Sequence, residues 1–234
     1  MTTARLIGTP PMEITLRRSA RARRYSLRVS RVDGRVTLTV PPRASAREAL
    51  AFAQEHEGWI RAALAELPSG RRISADGTVP VAGVERLITA APVKVPHVDG
   101  HRLLVPGRLL DGGRAAGPGV AACLRTLARA RLTELCDGHA ATMGAAYSAL
   151  VLRDTRSRWG SCSSDGRLMF SWRLIMAPPE VLDYVAAHEV AHLAEMNHSP
   201  AFWATVARLM PAYREHRGWL RAHGAMLHRV DFSG

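Results

Sequence analysis

One apolar segment constrains this chain more than any other. Residues 180–195 read EVLDYVAAHEVAHLAE, and apolar side chains occupy nearly every face of the helix that their spacing predicts. A helix that is apolar all round is buried, yet this one carries His188, Glu189 and His192. Burying three ionisable groups costs free energy unless a partner compensates them. A divalent metal ion is the partner that these residue types predict.

The spacing within this motif assigns a role to each group. Side chains four residues apart lie on one helical face, so His188 and His192 can converge on one ion. Glu189 is turned about a quarter of a circle away from His188, where it can reach a water on the metal instead. HExxH on a helix is the zincin signature, which consists of two metal ligands and a general base.

A third ligand is expected from the turn that follows. Ser199 and Pro200 predict a helix start, with serine as the N-cap and proline at the first helical position. The preceding helix must therefore end near residues 195–197, and His198 then lies on a tight turn between two helices. We predict His198 as the third ligand, with Glu215 as the alternative.

Three imidazoles and one open position are typical of a catalytic zinc site, so Zn²⁺ is the expected cofactor. Zinc lowers the pKa of a bound water toward about 7. Glu189 is expected to accept the proton of this zinc-bound water and to deliver it to the leaving amine. The sequence therefore predicts a zinc-dependent hydrolase, a metallopeptidase that acts on a peptide or protein substrate.

Three segments resemble the YgjP-like metallopeptidase family, which is related to the SprT-like zincins. These are RWGSC at residues 158–162, APPEVLDYVAAHEVAHL at 177–193 and NHSPAFW at 197–203. The resemblance implies a zinc-dependent peptidase-like domain, with the same three histidines as ligands and Glu189 as the catalytic base. Some members are assigned nucleotide hydrolysis, so the resemblance leaves the substrate open.

Two alternative functions follow. The first is a metal-dependent nucleotide (nucleoside triphosphate) pyrophosphatase, in which Arg158 or Arg173 contacts the phosphates. The second is a nucleic-acid-associated protein whose zinc is only structural, which requires four protein ligands and no open position.

Residues around the motif suggest further contacts. A strand at 148–153 and a hairpin with its turn at 163–166 precede the buried helix, and the return strand at 167–175 is expected to be the edge strand of the cleft. A peptide can add to such an edge by backbone pairing, which makes Ser171 and Arg173 substrate-facing; plain solvent exposure is the alternative.

Other single residues carry weaker expectations. Tyr213, Arg214 and His216 are candidate donors to an oxyanion. Gly160 is expected at a bulge or a close approach. Asp183 either orients a metal ligand or favours the helix dipole.

The N-terminal part predicts a β-hairpin over residues 25–40. Asp33 and Gly34 form a two-residue turn signal between alternating strands. Pairing outward from that turn places Val29 opposite Leu38, with apolar pairs on one face and polar pairs on the other.

Together these patterns predict an α+β fold, a zincin-like metallopeptidase domain with a small β-rich N-terminal subdomain. A capping box predicts a helix from residue 45 to about 67, and apolar spacing predicts a second long helix over 119–142. The linker candidate DGGRAAGPG, at 111–119, divides the chain into a hairpin, helix and short-strand subdomain at 12–115 and the metallopeptidase domain at 116–232.

The charge of the chain favours an anionic partner. Formal net charge is +12, and only one of the 32 basic residues is a lysine. Such a surplus suits nucleic acid or acidic substrates, although the arginine-rich composition of a GC-rich genome explains it equally well. Five arginines lie in RRSARARRY at residues 17–25, where they predict a basic face for nucleic acid or a plain solvated face.

The remaining composition indicates a compartment. Three cysteines imply no disulfide framework and fit a reducing environment. The N-terminus has no apolar core of a signal peptide, and no apolar run is long enough to span a membrane. We therefore expect a cytoplasmic protein without a membrane partner.

Overall fold

The chain forms two compact units, residues 1–70 and 71–234. A computed structural model describes residues 2–5, 11–30, 34–66, 70–110 and 116–233. The division falls after Gly70, whereas the sequence suggests one at 115/116. The difference arises because the short strands after Gly70 pack in the same core as the later helices. None of the helices in the described ranges is long and apolar enough to cross a membrane.

Unit 1 is a four-stranded sheet covered by two helices. The sheet order is β1 (Thr2–Arg5), β2 (Glu13–Arg18), β4 (Val36–Val40) and β3 (Ser26–Val29). β2 and β4 are parallel, and the other neighbours are antiparallel. Helices α1 (Ala46–Glu55) and α2 (Glu57–Ala65) follow. The core of this unit includes Ile14, Val36, Leu38, Val40, Ala53 and Ile60.

The predicted hairpin is present as β3 and β4, but its register differs. Val29 pairs with Val36 rather than with Leu38, which is a slip of two residues. Side chains alternate between faces with a period of two, so this slip leaves every side chain on its expected face. The apolar face is therefore as predicted, although the partners are not.

The slip has its origin in the turn. The Ser30 N–H donates to the carbonyl of Arg35 over 2.9 Å, and the Gly34 N–H donates back to the carbonyl of Ser30 over 2.9 Å. Four residues therefore separate the last bonded pair, instead of the two that an Asp-Gly turn needs. Asp33 itself lies outside the described residues.

The predicted capping box is confirmed. The Glu48 N–H donates to Ser45 Oγ over 3.1 Å, and the Ser45 N–H donates to Glu48 Oε2 over 3.4 Å. The single helix predicted from there is instead divided at His56, between α1 and α2. The Nδ1 atom of His56 lies 2.9 Å from the carbonyl oxygen of Phe52, which its own backbone N–H also contacts. This side chain therefore competes with regular helix bonding.

Unit 2 contains three small sheets and four α-helices in the described ranges. The strand orders are β6-β7-β9-β8, β10-β12-β11 and β13-β5. The strands are β5 (Arg71–Arg72), β6 (Thr78–Val81), β7 (Val84–Ala91), β8 (His97–Asp99), β9 (Arg102–Pro106), β10 (Ala149–Arg153), β11 (Gly160–Cys162), β12 (Arg167–Ser171) and β13 (Val230–Asp231). The helices are α3 (Ala116–Met143), α4 (Pro179–Ala191), α5 (Pro200–Leu209) and α6 (Tyr213–Leu227).

The second predicted long helix is present as α3, but the predicted linker is largely not a linker. Residues 116–119 are the first turn of α3, and residues 111–115 lie outside the described part of the chain. Gly119 sits against the backbone of Leu109, where any Cβ would clash with the carbonyl group. The glycine here permits close packing rather than flexibility.

The predicted return strand is shorter and lies elsewhere in its sheet. β12 ends at Ser171, and residues 172–176 form a buried 3₁₀ helix. β12 also lies between β10 and β11, so it is a central strand and not the expected edge. Because both neighbours occupy its backbone groups, a peptide cannot pair with it.

Two residues expected to face substrate are buried in consequence. Ser171 is fully buried, and Arg173 is 8% exposed. The Arg173 guanidinium donates to both carboxylate oxygens of Asp154, at 2.7 and 3.2 Å, and to the carbonyls of Leu227 and Val230, both at 2.9 Å. Four of its five N–H donors are used within the fold. Arg173 therefore joins the strand region to the C-terminal segment instead of contacting a substrate.

Replacing Arg173 with methionine tests this structural role. The change leaves two buried carbonyls and Asp154 without their donor, so we expect the free energy of unfolding to fall by about 3 kcal/mol. Arg153→Met, at an exposed position on β10, should change it by under about 0.5 kcal/mol. Urea denaturation of the full chain measures both, and equal effects would contradict the assigned role of Arg173.

Candidate metal centre

Helix α4 carries the HExxH motif through the interior of unit 2. It contacts α3, α5, α6 and β11, and its buried residues lie all round its axis, as predicted. The α-helix ends at Ala191, about four residues earlier than expected. His192 is its C-cap residue, with φ −66° and ψ −16°, so it keeps a helical conformation. His188 and His192 therefore still share one face.

Three histidines come together at this face. One ring nitrogen from each of His188, His192 and His198 lies within 4.8 Å of the others. The Nε2 atoms of His188 and His198 are 3.1 Å apart. The Nδ1 atom of His192 lies 2.9 Å from the carbonyl oxygen of Glu195. When Nδ1 donates its proton to that carbonyl, Nε2 is left with a free lone pair for an ion.

The position of His198 follows from the predicted start of α5. The Phe202 N–H donates to the Oγ atom of the N-cap Ser199 over 3.2 Å, and Pro200 is the first helical residue. The Ser199 N–H donates to Oδ1 of Asn197 over 3.2 Å. These two bonds define the turn, which brings His198 back toward α4.

Aromatic rings pack against the triad. The fully buried Phe202 ring has its centroid 4.9, 4.4 and 4.8 Å from those of His188, His192 and His198, respectively. Trp203 lies 5.7 Å from both His188 and His198, and its indole stacks on the latter. This apolar packing restricts the rotation of the imidazoles and keeps water from their inner side.

The environment keeps the imidazoles neutral. Burial lowers the pKa of His188 to about 3, and the neighbouring His192 and His198 lower it further. Burial also lowers the pKa of His192. Neutral imidazole is the form that binds a metal, because a protonated ring has no free lone pair.

The donor set fits a zinc-like ion. Two nitrogens bound at about 2.0–2.1 Å to one tetrahedral zinc ion lie about 3.3 Å apart, close to the 3.1 Å between the Nε2 atoms of His188 and His198. Within the described residues, the group contains only the three histidines, without Glu215 or Cys162. Three protein ligands and an open position are the pattern of a catalytic site, not of a structural one.

Glu189 lies buried beside this group. The residue is 5% exposed, and burial raises the pKa of its carboxyl to about 8, while the charge of Arg158 acts in the opposite direction. Gly160 in β11 approaches it closely, since a Cβ atom there would lie 2.5 Å from Glu189 Oε1. The close approach expected at Gly160 is therefore made to the carboxylate of the HExxH motif.

The other expected site residues are distributed unevenly. Arg158 is exposed, and its charge acts on Glu189, so the structure brings it to the site. Tyr213 is buried and stacks on Trp203 at 5.4 Å. Asp183 shares a 2.6 Å hydrogen bond with Nε2 of His139 and not with a histidine of the triad.

Sequence reasoning missed Arg217. Its guanidinium lies over the indole of Trp203, 4.6 Å from the ring centroid, and its charge contributes to the low pKa of His188. In the described part of the chain it makes no ion pair. Its position four residues after Tyr213, on the same face of α6, was the available signal.

An α+β fold with a buried HExxH helix and a third converging histidine defines the class of metal-dependent peptidases. The family model described as YgjP-like, metallopeptidase domain, matches residues 23–223. The chain therefore belongs to the YgjP-like metallopeptidase family.

Comparison with individual proteins adds one solved structure. The crystal structure of the metallopeptidase zymogen of Pyrococcus abyssi abylysin shares 21% sequence identity with this chain at a TM-score of 0.37. The match covers 39% of this chain and 92% of that chain. No curated protein is significantly similar in sequence.

Replacing Gly160 with alanine tests the packing of the carboxylate. The added methyl group must displace the Glu189 carboxylate, because its Oε1, Cγ and Cδ atoms would all lie within 2.7 Å. We expect hydrolytic activity to fall at least about tenfold, since misplacing a catalytic group by about 1 Å is already costly. Bound metal, measured by mass spectrometry, should stay at the wild-type level.

Gly138→Ala is the matched control, because a Cβ atom at this position of α3 would meet nothing within 4 Å. It should leave both activity and metal content unchanged. Full activity in Gly160→Ala would show that the carboxylate does not need its observed position.

Proposed function

We propose that this protein is a zinc-dependent peptidase in which His188, His192 and His198 hold the metal and Glu189 is the general base. The observation that supports this proposal is the convergence of three neutral imidazole nitrogens beside a buried carboxylate. Imidazole ligands suit zinc among the divalent metals, and the set leaves a coordination position open. The family match supports a peptide or protein as the substrate.

The bound zinc ion would supply Lewis acidity and make a water molecule acidic near neutral pH. Glu189 would accept one proton from the attacking water as its oxygen bonds to the scissile carbonyl carbon. The same carboxyl group would then pass this proton to the nitrogen of the leaving amine as the C–N bond breaks. Burial favours this exchange, because poor solvation makes the carboxylate a stronger base.

Positive charge beside the triad fits the second half of this chemistry. The carbonyl oxygen of the substrate gains negative charge when water attacks, and a nearby cation stabilises it. Arg217 supplies such a charge on the side of His188. Its stacking on Trp203 restricts the guanidinium without neutralising it.

Nucleotide hydrolysis is the second candidate, and the two arginines are the observation that favours it. Arg158 acts on Glu189 and Arg217 on His188, and neither forms an ion pair with another described residue. Guanidinium groups suit phosphate oxygens in particular. Arg173, which the sequence also suggested for this role, is already occupied by Asp154.

The Glu189→Gln variant tests the proposal with both substrate types. Glutamine keeps the size of the side chain but cannot accept a proton, so we expect peptide hydrolysis to fall by about 10²–10⁴-fold. The zinc content should not change, because Glu189 is not in the ligand group. Glu180→Gln, at an exposed position in the first turn of the same helix, is the control and should retain full activity.

The outcome separates the two candidates. Peptide hydrolysis that depends on Glu189 supports the peptidase. Nucleoside triphosphate hydrolysis that depends on Glu189, without any peptide hydrolysis, would replace it with the second candidate. Unchanged rates in Glu189→Gln would contradict both.

A further inference from the structure

The positive charge of the chain is concentrated in unit 1. Residues 1–70 contain twelve arginines and six acidic residues, so under a third of the length carries half of the net charge of +12. Between residues 17 and 47 there are ten arginines and a single acidic residue. A genome-wide preference for arginine would spread these charges along the chain, and it does not explain their concentration here.

The fold collects these arginines at one end of the sheet. Arg18, the last residue of β2, is in register with Val40, the last residue of β4, and the Ser19 N–H donates to the carbonyl of Val40 over 3.1 Å. The loops at 19–25 and 41–45 therefore leave the sheet side by side. We call this region the basic end; its exposed arginines are Arg17, Arg18, Arg21, Arg23, Arg24, Arg43 and Arg47.

The first turn of α1 belongs to the same region. The Tyr25 hydroxyl donates to Oε2 of Glu48 over 3.3 Å, which joins the end of the 19–25 loop to α1. That carboxylate also accepts from the backbone of Ser45, so it does not pair with an arginine.

Six of the seven guanidinium groups have no partner among the described residues. Arg18 is the exception, since it donates to the carbonyls of Pro42 and Ala44 at 2.9 and 2.7 Å. Like charges collected on one surface repel one another and destabilise the fold. Such a cluster is stabilised when an anion with several charges binds to it.

A cleft opens at the basic end. Its volume is about 340 Å³, and its walls combine Arg17, Arg18 and Ser45 with the apolar side chains of Leu16, Val40 and Ala49. This size is sufficient for a small organic group, because ligand sites begin at about 300 Å³. Cations around an apolar cleft suit a ligand that has phosphates on the outside and a flat apolar ring to insert.

We propose that the basic end of unit 1 binds single-stranded nucleic acid. Its unpartnered guanidinium groups contact successive phosphates, and the cleft receives one unpaired nucleotide. A duplex satisfies only the first requirement, since its bases are paired and stacked inside. Phosphate contacts carry no sequence information, so binding is independent of sequence. This surface is separate from the metal chemistry proposed for unit 2.

Fluorescence anisotropy of the full chain with a short labelled oligodeoxynucleotide tests the proposal over a series of salt concentrations. The test variant is Arg23→Gln/Arg24→Gln/Arg47→Gln. Its control, Arg102→Gln/Arg153→Gln/Arg208→Gln, removes the same charge from exposed positions of unit 2. Each lost contact to a single strand lowers the slope of log affinity against log salt by about 0.7. We expect the test variant to lower this slope by about 2 and the affinity at least about tenfold.

The control should leave the slope at the wild-type value, and circular dichroism should show that both variants are folded. The single variant Arg24→Gln, expected to lower the slope by about 0.7, replaces the triple variant if that one does not fold. Equal losses in the test and control variants would overturn the proposal, because net charge alone would then drive binding. Equal competition by polyglutamate, tighter binding of duplex, or no binding at low salt would each overturn it as well.

Discussion

The architecture of unit 2 depends on one constraint, the burial of ionisable side chains inside an apolar helix. His188, Glu189 and His192 sit on α4 where solvation cannot stabilise their charged forms. The surrounding elements meet this constraint in different ways. Phe202 packs against the imidazoles, and Gly160 leaves room for the carboxylate. A metal ion stabilises this neutral, converging set of nitrogens more simply than any protein partner does, because three lone pairs point to one place.

The parts that sequence could predict are those decided by local chemistry. The HExxH spacing places two imidazoles on one helical face, and a serine followed by proline begins the next helix, which positions His198. The all-round apolar pattern of α4 likewise predicts its burial. Each of these depends on residues within one turn or one cap, where helical geometry leaves few alternatives.

The parts that sequence could not predict depend on partners far away in the chain. Arg173 has the alternation of a strand residue, but Asp154 and two carbonyls near the C-terminus decide its environment. The hairpin register slipped by two because the turn took four residues, a choice that alternation alone does not distinguish. Arg217 was missed because its place over Trp203 requires α5 and α6 to pack together.

X-ray absorption spectroscopy of the zinc-loaded protein tests the central claim most directly. The account predicts three nitrogen neighbours of imidazole type and one light, exchangeable neighbour, at about 2.0–2.1 Å from zinc. A sulfur neighbour at about 2.3 Å, or a fourth protein ligand that closes the site, would contradict it. So would a spectrum of zinc bound only by water, because the histidines would then not hold the ion.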